Sequence, residues 1–192
     1  MAGVKQFNQE EVLDKAMEVF WRKGYEGTSV RDLTIATGLG KGSLYGAFGD
    51  KEQLFLAVLD RYADKFMAEI VQQLNNSDSE RAIEGMLEVA IARMSNPIYP
   101  RGCLHANTSV GMSGKSEAIE RKIAESFGGW ETAIYSVLRK AQAEGKLSPE
   151  QDIRALARFF VAVALGMGVL NKTFADPSVI RDVAKVALGF WR

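Results

Sequence analysis

Apolar residues recur every three or four positions along almost the whole chain, and helix caps or glycines bracket each periodic stretch. The pattern predicts an all-α protein of about nine helices. Val12, Leu13, Ala16, Met17 and Phe20 form one face of a first helix over about 9–23, with Asn8 and Glu11 spaced as a capping box and Gly24 as its stop. Thr28 is the expected N-cap of a short second helix with Val30, Leu33 and Ala36 inside, ended by Gly38. After Leu39 and Gly40, a third helix over about 41–48 puts Leu44 and Phe48 on one face and leaves Lys41, Gly42, Ser43 and Tyr45 off it. Asp50 and Gln53 box a fourth helix, lined by Leu54, Phe55, Val58, Leu59, Tyr62 and Phe66, that runs on to about Leu74.

Beyond residue 66 the helices lengthen. Ser77 with Glu80 is the expected cap of a helix striped by Ile83, Leu87, Ala90, Ile91 and Met94, which Pro97 breaks. Residues 96–114 read as a loop holding one short helix over 104–110. A long helix over about 116–143 stops at Gly145. Ser148, Pro149 and Gln151 then predict the start of another, apolar nearly all round from Leu156 to Leu170, and Asp176 with Pro177 opens a last helix ending at Phe190 and Trp191. The change of texture divides the chain into an N-terminal unit, 1–66, and a larger C-terminal unit, 67–192.

Composition narrows the class. Of 192 residues 47% are apolar and 25% charged, and 24 Lys and Arg balance 24 Asp and Glu, so neither disorder nor bulk attraction to nucleic acid or to an anionic membrane is encoded. One cysteine and a start without signal-peptide character lead to the expectation of a cytoplasmic, reducing home. The longest apolar run, 159–170, would rise about 18 Å against a bilayer core of about 30 Å, so no membrane partner is expected. Cys103 and His105 are the one candidate catalytic pair, yet no acidic partner is implied and two ligands are too few for structural zinc. Neither an enzyme, a metal site nor a cofactor is expected.

Two short helices separated by a glycine-bounded turn at 38–40 have the form of a helix-turn-helix, whose second helix enters a major groove. Spacing alone also fits an incidental helical pair. Residue type favours the groove, because the outward face of the third helix is small and polar and its backbone can approach bases. Residues 1–51 nevertheless hold seven basic and seven acidic side chains, so binding would rest on a few placed groups and on two copies of the unit.

The runs from Phe20 to Leu33, Thr37 to Tyr45 and Phe48 to Phe55 resemble the DNA-binding domain of the TetR family of bacterial transcriptional regulators, over most of 8–58. That resemblance implies an N-terminal three-helix DNA-binding domain with a helix-turn-helix, and a larger C-terminal helical domain for ligand binding and dimerisation. It implies a repressor: a homodimer that reads two half-sites of a palindromic double-stranded operator and is released by a small-molecule inducer. Gly40 and Ala47 stand where the family often has Ser or Thr, and an aromatic or His. With the neutral charge they keep open a second reading, a helical small-molecule-binding protein of the same fold without operator recognition.

Thr28 reads as a cap or a phosphate ligand, and Ser29, at the start of the second helix, as a phosphate donor beside the helix amides. Lys41, Gly42 and Ser43 occupy the leading turn of the recognition helix, within reach of base edges. Tyr45 is either core or, on the family pattern, a phosphate hydrogen bond. Lys51 is a cation that opposes the macrodipole at a helix start and so points to phosphate, while Arg31 reads equally as a solvated charge. An apolar pocket in the C-terminal unit would draw on Met86, Met94, Cys103, Met112, Phe127, Trp130, Tyr135, Phe159 and Met167, types that at helical spacing also make plain core. The segment from Arg101 to Leu104 resembles one in some TetR-family branches, a few of which sense electrophiles or metals through cysteine; a small buried hydrophobe is the favoured reading of Cys103. The last two helices, with Phe160, Val163, Met167, Val183, Ala187 and Phe190, are the expected dimer seam.

Overall fold

The computed structural model describes residues 7–75 and 78–189. Its helices are α1 (Gln9–Lys23), α2 (Val30–Thr37), α3 (Lys41–Phe48), α4 (Lys51–Tyr62), α5 (Ala68–Gln73), α6 (Ser79–Met94), α7 (Leu104–Gly111), α8 (Glu117–Ala143), α9 (Ile153–Thr173) and α10 (Pro177–Gly189), and the described residues contain no strand. A π-helical turn, Ala63–Met67, joins α4 to α5 in one rod, which leaves nine rods among the described residues. Ser77, the expected cap, and Phe190 and Trp191, at the expected dimer seam, lie outside them.

Local hydrogen bonding moves several predicted helix starts. Asn8 caps α1 as expected, but Glu11 turns forward to Lys15 Nζ at 2.7 Å instead of closing a box. Thr28 does not cap α2: it is 1% exposed and its hydroxyl donates to Gly24 O at 2.6 Å. Ser29 takes the cap and closes a box with Asp32. Asp78 caps α6 through the Glu80 and Arg81 amides, and α9 begins at Asp152, which receives the Arg154 and Ala155 amides, not at Ser148. A carboxylate satisfies two orphan amides with charge-assisted bonds where a serine offers a weaker acceptor. Ser148 to Gln151 instead form a turn whose carbonyls at both ends accept from Gln142 Nε2 at 2.8 and 3.2 Å.

One apolar core gathers Phe20, Leu33, Leu44, Leu54 and Phe55 from the first four helices and continues into Leu104 of α7 and Ile119 and Ile123 of α8. The N-terminal head and the larger body therefore share packing. A second core joins α6, the later part of α8, α9 and α10 around Leu87, Leu138, Phe160 and Met167. The loop between α6 and α7 is fastened to α9 by Asn171, which accepts from Gly102 N at 2.8 Å and donates to Met94 O at 3.0 Å. Gly168 permits that approach, since a Cβ there would lie 2.8 Å from Cys103 Cβ.

By length and composition α9 is long and apolar enough to cross a membrane, beyond what its twelve-residue run implies. One of its faces packs on α8 and α10. The other leaves Phe159 and Val169 exposed, and Val186 of α10 is 63% exposed.

Candidate nucleic-acid interface

Gly38, at a left-handed φ of 72°, ends α2 with its N–H on Thr34 O. Thr37 then donates to Leu33 O at 2.7 Å and accepts from Leu39 N at 3.3 Å, which fixes the turn into α3. Leu33 and Leu44 are fully buried and hold the two helices on the core. At the far end of α3, Gly49 has a φ of 85°, and a Cβ there would overlap Gln53 Oε1, which accepts from Asp50 N to close the α4 capping box. The ends of α2 and of α3 are thus set by backbone geometry that only glycine adopts easily.

This frame turns Lys41, Gly42, Ser43, Gly46 and Ala47 outward, all exposed. Gly40, Gly42 and Gly46 have no positive φ, and an added Cβ would meet nothing within 4 Å, so neither backbone nor packing requires glycine at these three positions. Lys41 and Arg31 are exposed and, among the described residues, carry no ion pair. Tyr45 is half-buried, and that burial raises its pKa, which keeps the phenol a donor. Lys51 holds its Nζ 4.3 Å from the centre of the Tyr25 ring, and that ring packs on Phe55 at 5.1 Å.

Ser29 differs from the expectation. Its hydroxyl and its N–H both donate to Asp32 Oδ2, at 2.7 and 2.9 Å. Asp32 also takes Lys23 Nζ at 2.6 Å, and the Lys23 and Ser29 hydrogen bonds hold its carboxyl well below the usual carboxylate range. With that proton committed, the donors left at the start of α2 are the first-turn amides of Val30 and Arg31, which have no carbonyl partner within a helix. Thr28, enclosed beneath them, offers its hydroxyl to no outside group.

A family model described as "Bacterial regulatory proteins, tetR family" matches residues 12–58, and one described as "Tetracyclin repressor-like, C-terminal domain" matches residues 79–187. The chain belongs to the TetR family. It is 34% identical over 191 residues to the HTH-type transcriptional repressor ComR of Escherichia coli (strain K12), covering 97% of this chain and 90% of that protein. It is 30% identical to the HTH-type transcriptional regulator YezE of Bacillus subtilis (strain 168), covering 98% of each. Among solved structures, a cysteine-substituted form of the TetR-family regulator CifR, complexed with 26-base-pair double-strand operator DNA, matches with a TM-score of 0.91 at 30% identity, covering 98% of this chain and 99% of that one.

The TetR-family chain also encloses a cavity of about 60 Å³ where head and body meet. Of the expected pocket residues, Met86, Met94, Cys103 and Trp130 line it. Met112 and Met167 sit in the two cores, Phe127 packs on Trp130 at 5.3 Å, Tyr135 lies under the Arg154 guanidinium at 4.7 Å, and Phe159 meets Phe160 edge-on at 5.5 Å. These five belong elsewhere because an apolar stripe does not say which part of it faces a void. The cavity instead adds Trp21 of α1, Tyr62, Phe66 of the π turn, Arg93 and Tyr99. Tyr62 and Phe66 carry a signal as inner-face residues of the fourth helix, and Arg93 as a charge at the end of the α6 stripe; Trp21 and Tyr99 carry none.

Cys103 and His105 do not work as a pair. The Tyr62 hydroxyl donates to Cys103 Sγ at 3.5 Å, and burial pushes the thiol pKa up, so it stays protonated. His105 Nε2 donates to Leu59 O at 3.3 Å, and burial lowers the imidazole pKa to about 4.

Proposed function

We propose that this chain is a ligand-responsive repressor that binds a palindromic operator as a homodimer, with α3 in the major groove. The outer face of α3 carries the reading: three glycines that the fold does not require leave a low surface, with Lys41 and Ser43 at its leading turn. Lys41 and Ser43 read base edges. The Val30 and Arg31 amides, the Arg31 guanidinium, the Tyr45 hydroxyl and Lys51 hold phosphates. Exposed Phe159, Val169 and Val186 support burial of α9 and α10 against a second copy as a four-helix seam. The cavity is the ligand site, and Trp21 in its wall belongs to α1, on which α2 and α4 pack. A ligand that shifts this wall alters the platform of the helix-turn-helix.

Selection from a randomised duplex library, followed by fluorescence anisotropy, tests the reading. Enrichment of a pseudo-palindrome is expected, and light scattering is expected to give twice the monomer mass. If scrambled and selected duplexes bind alike, operator recognition is absent. The alternative, a small-molecule-binding protein of this fold, then stands, which the missing side-chain cap at Gly40 favours.

A further inference from the structure

The cavity between head and body is lined almost wholly by apolar side chains, three of them the flexible Met67, Met86 and Met94. Arg93 is the one charged residue in the lining. Glu69 takes its Nε at 3.1 Å and also its Nη2, and Lys65 O accepts from Nη2 at 3.1 Å. The guanidinium lies 4.7 Å from the centre of the Phe66 ring. Its Nη1 is enclosed and finds no acceptor among the described residues. The indole Nε1 of Trp21 is in the same condition, and that indole meets the same Phe66 ring edge-on at 5.4 Å. Two orphan donors, one on the head and one on the body, therefore flank one aromatic ring in the wall of an apolar cavity. Buried donors are rarely left unsatisfied without a reason.

We infer that the cavity takes a compact apolar molecule ending in a carboxylate, whose oxygens accept from Arg93 Nη1 and Trp21 Nε1. This rests on the ligand-responsive reading above and names its ligand class. Glu69 engages Nε and Nη2, and the two hydrogens on Nη1 remain for a second anion. No carboxylate lines the cavity to repel it. The free space of about 60 Å³ is well below the roughly 150 Å³ of an apolar cavity that binds benzene, so the acid enters only as the walls yield. The methionines yield by rotation. Trp21 yields only with α1, which ties occupancy to the head.

The test uses ¹⁵N-labelled protein without DNA and follows the indole N–H signals of the three tryptophans, with the Trp21 signal assigned through Trp21→Phe. Benzoate is expected to shift the Trp21 signal saturably, with toluene and benzylamine binding at least tenfold more weakly. Arg93→Gln is expected to weaken benzoate at least tenfold and to leave toluene within twofold. Equal binding of the three probes, or no shift with any, overturns the inference, and both comparisons are made on the unaltered protein, so a poorly folded variant does not decide it. Benzoate is then added to the operator complex. Benzoate bound with DNA retained upholds the acid site and counts against the ligand-responsive reading; DNA release upholds both.

Discussion

Replacing Gly42 and Gly46 together with alanine separates what α3 needs for folding from what it needs for binding. Both positions are exposed within α3, neither has a positive φ, and an added Cβ would meet nothing within 4 Å. Each substitution removes about 1 kcal/mol of helix penalty, partly by restricting the unfolded chain. The pair should therefore stabilise the protein by about 2 kcal/mol, which for a chain of this length raises Tm by roughly 4–8 °C. The same two methyl groups stand on the face assigned to the major groove, where backbone and bases approach closely. Operator affinity should fall at least tenfold, about 1.4 kcal/mol. Thermal and urea unfolding followed by circular dichroism give the first quantity, and anisotropy on the selected operator gives the second. A variant that is more stable and binds as tightly as the parent refutes the groove assignment. One that is less stable refutes the account of α3 itself.

Lys51→Ala should weaken all duplexes alike and reduce the log-log salt slope by about 0.9 for each phosphate no longer neutralised, whereas Lys41→Ala should change base preference; an unchanged slope would mean that the Lys51 cation serves only the Tyr25 ring. Thr28→Ala should cost about 1 kcal/mol of stability by removing the bond to Gly24 O and leave the salt slope untouched, and a flatter slope would show that the hydroxyl reaches DNA after all. His105 has a folded pKa of about 4, below the roughly 6.5 of an unfolded chain, so protons favour the unfolded state between those values. Stability should be complete above about pH 6.5 and fall by on the order of 3 kcal/mol as pH drops to about 4, a dependence that His105→Gln should flatten. Identical pH profiles for the two proteins would refute a buried neutral imidazole.

Helix starts and stops were legible wherever one residue dominated the local choice. Asn8, Asp50 and Gly38 act where the spacing places them because a cap or a left-handed stop depends on atoms three or four residues away. The outward face of α3 was legible for a related reason, since Leu44 and Phe48 assign the opposite side to the core. The sequence points to Thr28 as the cap of α2 and to Ser29 as a phosphate donor, and the fold overturns both by directing the Thr28 hydroxyl to Gly24 O and boxing Ser29 with Asp32.

Met86, Met94, Cys103 and Trp130 were legible as pocket candidates, but the place of the cavity and its wall on the head were decided by tertiary structure. Trp21 follows Phe20 by about 100° around α1, and the period of that helix marks one buried face. A second face is covered only because the π turn carries Phe66 beneath the indole and the loop before α7 brings Tyr99 alongside it. Hydrophobic periodicity is a property of one helix and shows which residues leave water. A void and the polar atoms around it belong to the meeting of several helices, and no single helix contains that information.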